Sequence, residues 1–182
     1  MKIYFASDHA GFKLKEALIP FVQALGFEVR DFGAFVYDEN DDYPDYIKKA
    51  AAEVSHHSQH SLGIIIGGSG EGEAIVANKF PHVRATVYYG HEDQIIRLSR
   101  EHNDANILSL GARFMDEAHA KKTVREWLMM QYSVADRHKR RIQKIKEIER
   151  KRALGRVFLS LGLMLLVLCL VFAAWYALAI MS

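Results

Sequence analysis

The chain has 182 residues, half of them hydrophobic, with 24 Lys/Arg, 22 Asp/Glu and one cysteine. That is enough for one domain with a real core, while the lone Cys169 excludes an internal disulfide and the absence of any Cys/His zinc spacing excludes a structural zinc site. The net charge of +2 hides an asymmetry: residues 137–156 hold ten Lys/Arg and two Glu, against 14 and 20 in residues 1–136, so a basic segment suited to nucleic acid, anionic lipid or a phosphorylated ligand follows an acidic domain.

In chain order the pattern alternates short apolar runs with helical stripes. KIYFAS (2–7) reads as a strand, and it meets Asp8 too soon to be a signal peptide. Residues 11–25 carry apolar side chains at Leu14, Ala17, Leu18, Phe21, Val22 and Leu25, a helical stripe closed by Gly26. A strand follows at 27–32, an acidic loop at 38–42 and a helix at 43–54. LGIIIG (62–67) is the most apolar strand and is expected at the centre of the sheet. A short helix (73–80), a strand (83–89), a helix (91–102), a strand (106–111) and a helix (116–132) complete the rhythm. It predicts an α/β, Rossmann-like three-layer domain with a five-stranded parallel sheet covered on both faces. Ligands in such sheets bind beyond the carboxyl ends of the strands.

After Ser133 the pattern changes. Residues 134–152 predict a strongly charged basic helix, taken as the end of a domain spanning 1–152. Residues 157–181 are 25 in a row without a charge. As a helix they would span roughly 37 Å at about 1.5 Å per residue, against a hydrocarbon core of about 30 Å. Lys151, Arg152 and Arg156 precede them, and Trp175 and Tyr176 lie near the far end. This predicts a single transmembrane helix, a lipid-bilayer contact, and a membrane location with the preceding domain on the cytoplasmic side. A buried core helix is the alternative.

Polar residues stand just after the strands: Ser7-Asp8-His9, then Gly67-Gly68-Ser69-Gly70-Glu71-Gly72-Glu73, then Gly90-His91-Glu92, then Gly111-Ala112-Arg113. Arg100-Glu101-His102-Asn103-Asp104 ends the helix before the last strand, and the whole set is expected at one edge of the sheet. An Asp-His pair or a His-Asn pair in such places also serves as a helix cap. The glycine loop lacks the Gly-Lys-Ser/Thr of a phosphate loop, and two carboxylates beside it repel a pyrophosphate.

Asp8-His9-Ala10-Gly11-Phe12, Asp42-Tyr43-Pro44, GGSGEGEAIVANK (67–79), REHNDANILSLGAR (100–113) and Arg137-His138-x-x-Arg141 follow one another in a single order. In this the chain resembles the ribose-5-phosphate isomerase B family, with its galactose-6-phosphate and allose-6-phosphate isomerases, over residues 1–150. The resemblance implies a homodimer with sites at the subunit interface and aldose–ketose isomerisation without cofactor or metal. No nucleic-acid partner is expected. Part of the family has a Cys base where Gly67 stands. This chain resembles the part with Gly there and Glu at position 73, so the resemblance gives Glu73 the base role. It also implies that Ser69 and the backbone of Gly68, Gly70 and Gly72 stabilise the enediolate. His102 with Asp8 would open the furanose ring, and Asn103 and Tyr43 would hold sugar hydroxyls. Arg137, His138 and Arg141 would bind phosphate, with Arg113 and His9 as further contacts.

The chemistry fits those residue types. A cis-enediolate needs one base that removes and returns a proton on one face, and donors for the charge that develops. Arg137 and Arg141, four apart on a helix, can face one dianion. Glu71 receives no role. The expected reaction is the interconversion of ribose 5-phosphate and ribulose 5-phosphate. The alternatives are a hexose 6-phosphate isomerase, and a membrane-anchored sensor that binds sugar phosphate without turnover.

Overall fold

The computed structural model describes residues 1–181; beyond residue 155 side chains are described only at Phe158, Leu163, Met164 and Leu168. The elements are β1 (Lys2–Ser7), α1 (Phe12–Ala24), β2 (Glu28–Asp31), α2 (Tyr43–His56), β3 (Ser61–Gly67), α3 (Glu71–Ala77), β4 (Ala85–Tyr88), α4 (Asp93–Asn103), β5 (Ile107–Gly111), α5 (Glu117–Met129) and α6 (Asp136–Met181). They form two compact units, residues 1–142 and 143–182.

The first unit holds a five-stranded parallel sheet in the order β2-β1-β3-β5-β4. β3 is the middle strand, and all seven of its residues are buried. Alternation along the strands sorts the core into two layers. Ile3, Phe5, Ile64, Ile66, Leu108 and Leu110 pack with Leu18 and Val22 of α1, Ile96 of α4 and Trp127 of α5. Tyr4, Ala6, Ile65 and Ile107 point the other way, against Ile47, Ala50 and Val54 of α2 and Ala77 of α3. The inner strands β1 and β3 are therefore apolar on both faces, as a sheet sandwiched between helices requires.

The chain leaves β1 in one direction to form β2 and returns past β1 to form β3. With right-handed crossovers this reversal opens a crevice beyond the carboxyl ends of β1 and β3. The loops that begin at Asp8 and Gly68 start there. A partly buried ion pair shapes the neighbouring connection. Lys15, with no exposed side-chain surface, bonds Asp31 at the end of β2, and the other Asp31 oxygen accepts from the Gly33 N–H at 3.0 Å.

The second unit is the remainder of α6, and its described side chains from residue 143 to 155 are almost all exposed. Here an expectation is corrected. Among the described residues no helix is long and apolar enough to cross a membrane, because the described part of α6 is dominated by charged side chains. The transmembrane helix predicted over 157–181 lies mostly outside the residues whose side chains are described, and the membrane location drawn from it is withdrawn.

Candidate active site

The crevice is built from three strand ends. β1 delivers Asp8 and His9. The Asp8 carboxylate, 7% exposed, accepts from the Gly11 N–H at 3.1 Å and so caps the turn into α1. β3 delivers the glycine loop and α3. β5 delivers Arg113: its N–H and that of Ala112 donate to the carbonyls of Gly68 and Gly67 at 3.1 and 2.9 Å, so the last strand braces the loop.

The loop's glycines answer to close neighbours. Gly70 has φ +80°, a left-handed conformation that disfavours a side chain, and its carbonyl accepts from Ser109 Oγ at 2.5 Å. At Gly67 a Cβ would overlap the Glu73 carboxylate. Glu73, only 4% exposed, thus folds back from α3 over the bare backbone at the end of β3. A side chain at position 67 and a carboxylate from position 73 compete for one space. Tyr43, first residue of α2, lies against Gly72: a Cβ there would be 2.8 Å from the ring's Cζ. Arg113 covers Gly68 in the same way, with its Cζ 3.1 Å from the Cβ position. The Ser69 hydroxyl accepts from the Glu71 N–H at 3.3 Å. Glu71 opens α3 and is exposed.

Burial pushes the Glu73 carboxyl above the usual carboxylate range, and the nearby charge of Asp8 adds to the effect. His9 is shifted upward too, chiefly by its hydrogen bond to Asp41 at 2.6 Å. Asp8, His9 and Asp41 offer ligand atoms within 4.8 Å of one another, but His9 is already bonded to Asp41, and Asp8 to the Gly11 N–H.

His102 and Asn103 are placed differently. They end α4 just before β5, and so lie at the amino edge of the sheet, opposite Glu73. Arg84 pins them there: its Nε donates to the carbonyls of Asn103 and Asp104 at 3.1 and 2.8 Å, and its Nη2 meets the Asp104 carboxylate at 2.7 Å. The first and last residues of β5 alone are about 13 Å apart at roughly 3.3 Å per residue. The expectation that all the polar groups share one edge is therefore corrected. Helix α4 runs back across the sheet, so its last turn ends where β5 starts.

His138 joins this second cluster. Its ring stacks on His102, with centroids 4.2 Å apart and planes 14° from parallel. It is 2% exposed, and its Nε2 accepts from Arg137 Nε at 3.0 Å. Burial first, then the positive charges nearby, hold it below the usual histidine value. Arg137 and Arg141 are exposed on the same helix. One chain therefore carries two groups of predicted residues: Asp8, His9, Tyr43, Gly68, Ser69, Gly70, Gly72, Glu73 and Arg113 at the carboxyl edge, and His102, Asn103, Arg137, His138 and Arg141 away from it. Asp41 belongs with the first group and was missed. The motif residue beside it, Asp42, is exposed and makes no side-chain cap.

A buried carboxylate of raised basicity near Asp8, with Arg113 over the adjoining Gly68, suits proton transfer on an anionic substrate and points to the class of acid–base enzymes. The sequence pattern of the Ribose/Galactose Isomerase family matches residues 3–145. Ribose-5-phosphate isomerase B of Mycolicibacterium paratuberculosis is 42% identical over 150 residues, 82% of this chain and 92% of that protein. Its Escherichia coli counterpart is 40% identical over 151 residues, 83% of this chain and 98% of that protein. Among solved structures, ribose-5-phosphate isomerase B from Mycoplasma genitalium with bound ribulose-5-phosphate superposes with a TM-score of 0.78 at 36% identity, over 82% of this chain and 96% of that one. The Clostridium thermocellum enzyme gives 0.77 at 43%, over 84% and 99%. The chain belongs to the ribose/galactose isomerase family and is an isomerase. The family match ends at residue 145 and lends the withdrawn membrane helix no support.

Proposed function

We propose that the chain interconverts ribose 5-phosphate and ribulose 5-phosphate through a cis-enediolate, with Glu73 as the base that carries the proton between C1 and C2. The observation that carries this reading is the Glu73 carboxylate, buried over the bare backbone of Gly67 and raised in basicity. The pentose is preferred over a hexose because relatives about 40% identical are ribose-5-phosphate isomerases B.

The base takes the proton from one carbon and returns it to the next on the same face, so a single short-tethered carboxylate suffices. Ser69 and the backbone N–H groups of Gly68, Gly70 and Gly72 face the charge that develops on the sugar oxygens. Tyr43 lines the same crevice for a sugar hydroxyl and Asp8 lies there to assist ring opening, with His9 and Arg113 as contacts for the phosphate-bearing end. His102 is assigned to ring opening and Asn103 to a hydroxyl. Arg137 and Arg141 are assigned to the phosphate. His138, buried against His102, is reassigned from phosphate contact to support of that ring.

Glu73 and His102 sit at opposite edges of one sheet, so a site that uses both takes them from two copies. The reading is a two-fold homodimer in which each site joins the crevice of one copy to the His102 cluster of the other. The isomerase domain is taken as residues 1–152.

The test is Glu73→Gln in the full-length chain. The reaction needs the ionised carboxylate, so wild-type kcat/KM falls as pH drops through the raised Glu73 pKa. Glu73→Gln lowers kcat about a thousandfold, within the usual span for a lost general base, and abolishes that acid limb. Near wild-type turnover by the variant would overturn the assignment.

A further inference from the structure

Asp41 stands one residue before the conspicuous Asp-Tyr-Pro motif, in an acidic loop that reads as solvated surface. The structure gives it another place. Its side chain is only 4% exposed. One oxygen, Oδ1, accepts from both the main-chain N–H of His9 at 3.1 Å and the ring Nδ1 of His9 at 2.6 Å. The other, Oδ2, is buried without a hydrogen-bond partner among the described residues.

Three consequences follow from these contacts. An ionised carboxylate only accepts, so the short bond fixes a proton on His9 Nδ1 and leaves Nε2 as the nitrogen open to a ligand. Two bonds from one oxygen, one to backbone and one to ring, lock the imidazole to its own main chain. A carboxylate buried this deeply with one oxygen unpaired needs a positive charge beside it, and the nearest candidate is the His9 ring. The other groups that act on that ring are Asp8, whose charge favours the cation, Arg113, whose charge opposes it, and the Tyr37 ring, edge-on at 6.3 Å. The His9 side chain stays 25% exposed.

We propose that Asp41 is a positioning residue that fixes both the orientation and the charge of His9, so that its Nε2–H meets the anionic end of the sugar phosphate. The proposal rests on the reading of His9 as a substrate contact. Asp41 touches no substrate itself. It converts a ring of ambiguous charge near neutral pH into a cationic donor, and it supplies the crevice with positive charge that sequence composition does not reveal.

The experiment uses Asp41→Asn and His9→Asn in the full-length protein, with ribose 5-phosphate as substrate and the His9 ring followed by NMR across pH. The carboxamide keeps the shape of Asp41 and removes its charge. In wild type the His9 ring is expected to titrate above an ordinary histidine, and KM to climb as pH rises through that titration. In Asp41→Asn both events move to lower pH. At neutral pH KM rises roughly tenfold, the loss expected for a charge-assisted hydrogen bond, while kcat stays within about twofold. A purely structural role would instead lower stability and kcat together and leave the His9 titration in place.

The two ideas fail separately. If His9→Asn keeps the wild-type KM, the substrate contact is gone and the proposal goes with it. If His9→Asn raises KM but the His9 titration is unmoved by Asp41→Asn, the contact stands and the proposal is overturned. A wild-type His9 that titrates below the ordinary value overturns it without recourse to any variant.

Discussion

Gly67 and Glu73 act as one unit, because the space a side chain at 67 would fill is taken by the Glu73 carboxylate. Gly67→Ala is therefore expected to swing the carboxylate away, since the obstructing atoms are the far end of a flexible side chain. Displacing a base by about 1 Å costs on the order of a hundredfold in turnover, whereas stability is expected to change by less than about 1 kcal/mol. The check is a double-mutant cycle: Gly67→Ala in a Glu73→Gln background should cost almost nothing further, and full additivity would separate the two positions. Glu73 also strains the fold that it serves. Its folded pKa is raised, so the folded state holds the proton more tightly than the unfolded chain does. Stability is lost as pH rises from the ordinary carboxylate range through the raised value, and Glu73→Gln should melt higher than wild type at neutral pH. At this scale the place of the glycine loop was legible in the sequence, because an apolar run that stops at glycines marks a strand-to-helix turn, whereas the role given to Glu73 came from the family resemblance. Asp41 was not legible. Five acidic residues in residues 38–45 look alike as letters, and only the chain path that brings Asp41 beneath His9 singles it out.

Elements place the His102 cluster through their ends. Helix α4 runs back across the sheet and stops with Asp104 in a left-handed conformation, φ +48°, which turns the chain into β5. Arg84, just before β4, holds that stop with bonds to two carbonyls and a carboxylate. Arg84→Met keeps the aliphatic stem and removes all three bonds. The expected result is faster amide exchange at Asp104 and Ala105, and a kcat/KM for ribose 5-phosphate lower by roughly tenfold, in line with a lost charged hydrogen-bond set. The acid limb that reports Glu73 should stay where it is, because Arg84 bonds backbone carbonyls and the Asp104 carboxylate and not Glu73. A shift of the limb would mean that Arg84 acts on the whole domain. Periodicity gave the order and type of these elements correctly through residue 132, since apolar stripes at 3.6 and buried runs of five to seven residues survive translation into burial. Helix ends were less legible. α3 starts at Glu71, two residues before the expected start, because Gly70 in its left-handed conformation lets the turn close early.

At the scale of the whole molecule, the sheet separates the predicted site residues. A list of polar residues near strand ends does not distinguish the carboxyl edge from the amino edge, and the sequence reading merged them. Parallel register keeps them apart: Gly67 pairs with Gly111 at one edge, and Gly63 with Ile107 toward the other. No side chain spans that separation within one chain. If each site joins the Glu73 crevice of one copy to the His102 cluster of the other, two inactive variants must repair each other. In a mixed two-fold dimer of Glu73→Gln with His102→Gln, one site collects both lesions, and the other has both native residues. Random assortment makes about half of the dimers mixed, each with one working site, so the mixture should recover about a quarter of wild-type activity. Each variant alone should stay near its residual rate, and exchange of subunits after mixing should set the time course of recovery. Sites confined to one chain predict no recovery beyond the average of the two residual rates, however long the proteins are mixed. The topology favours recovery, because only a second copy can bring an imidazole from the amino edge to the carboxylate at the other.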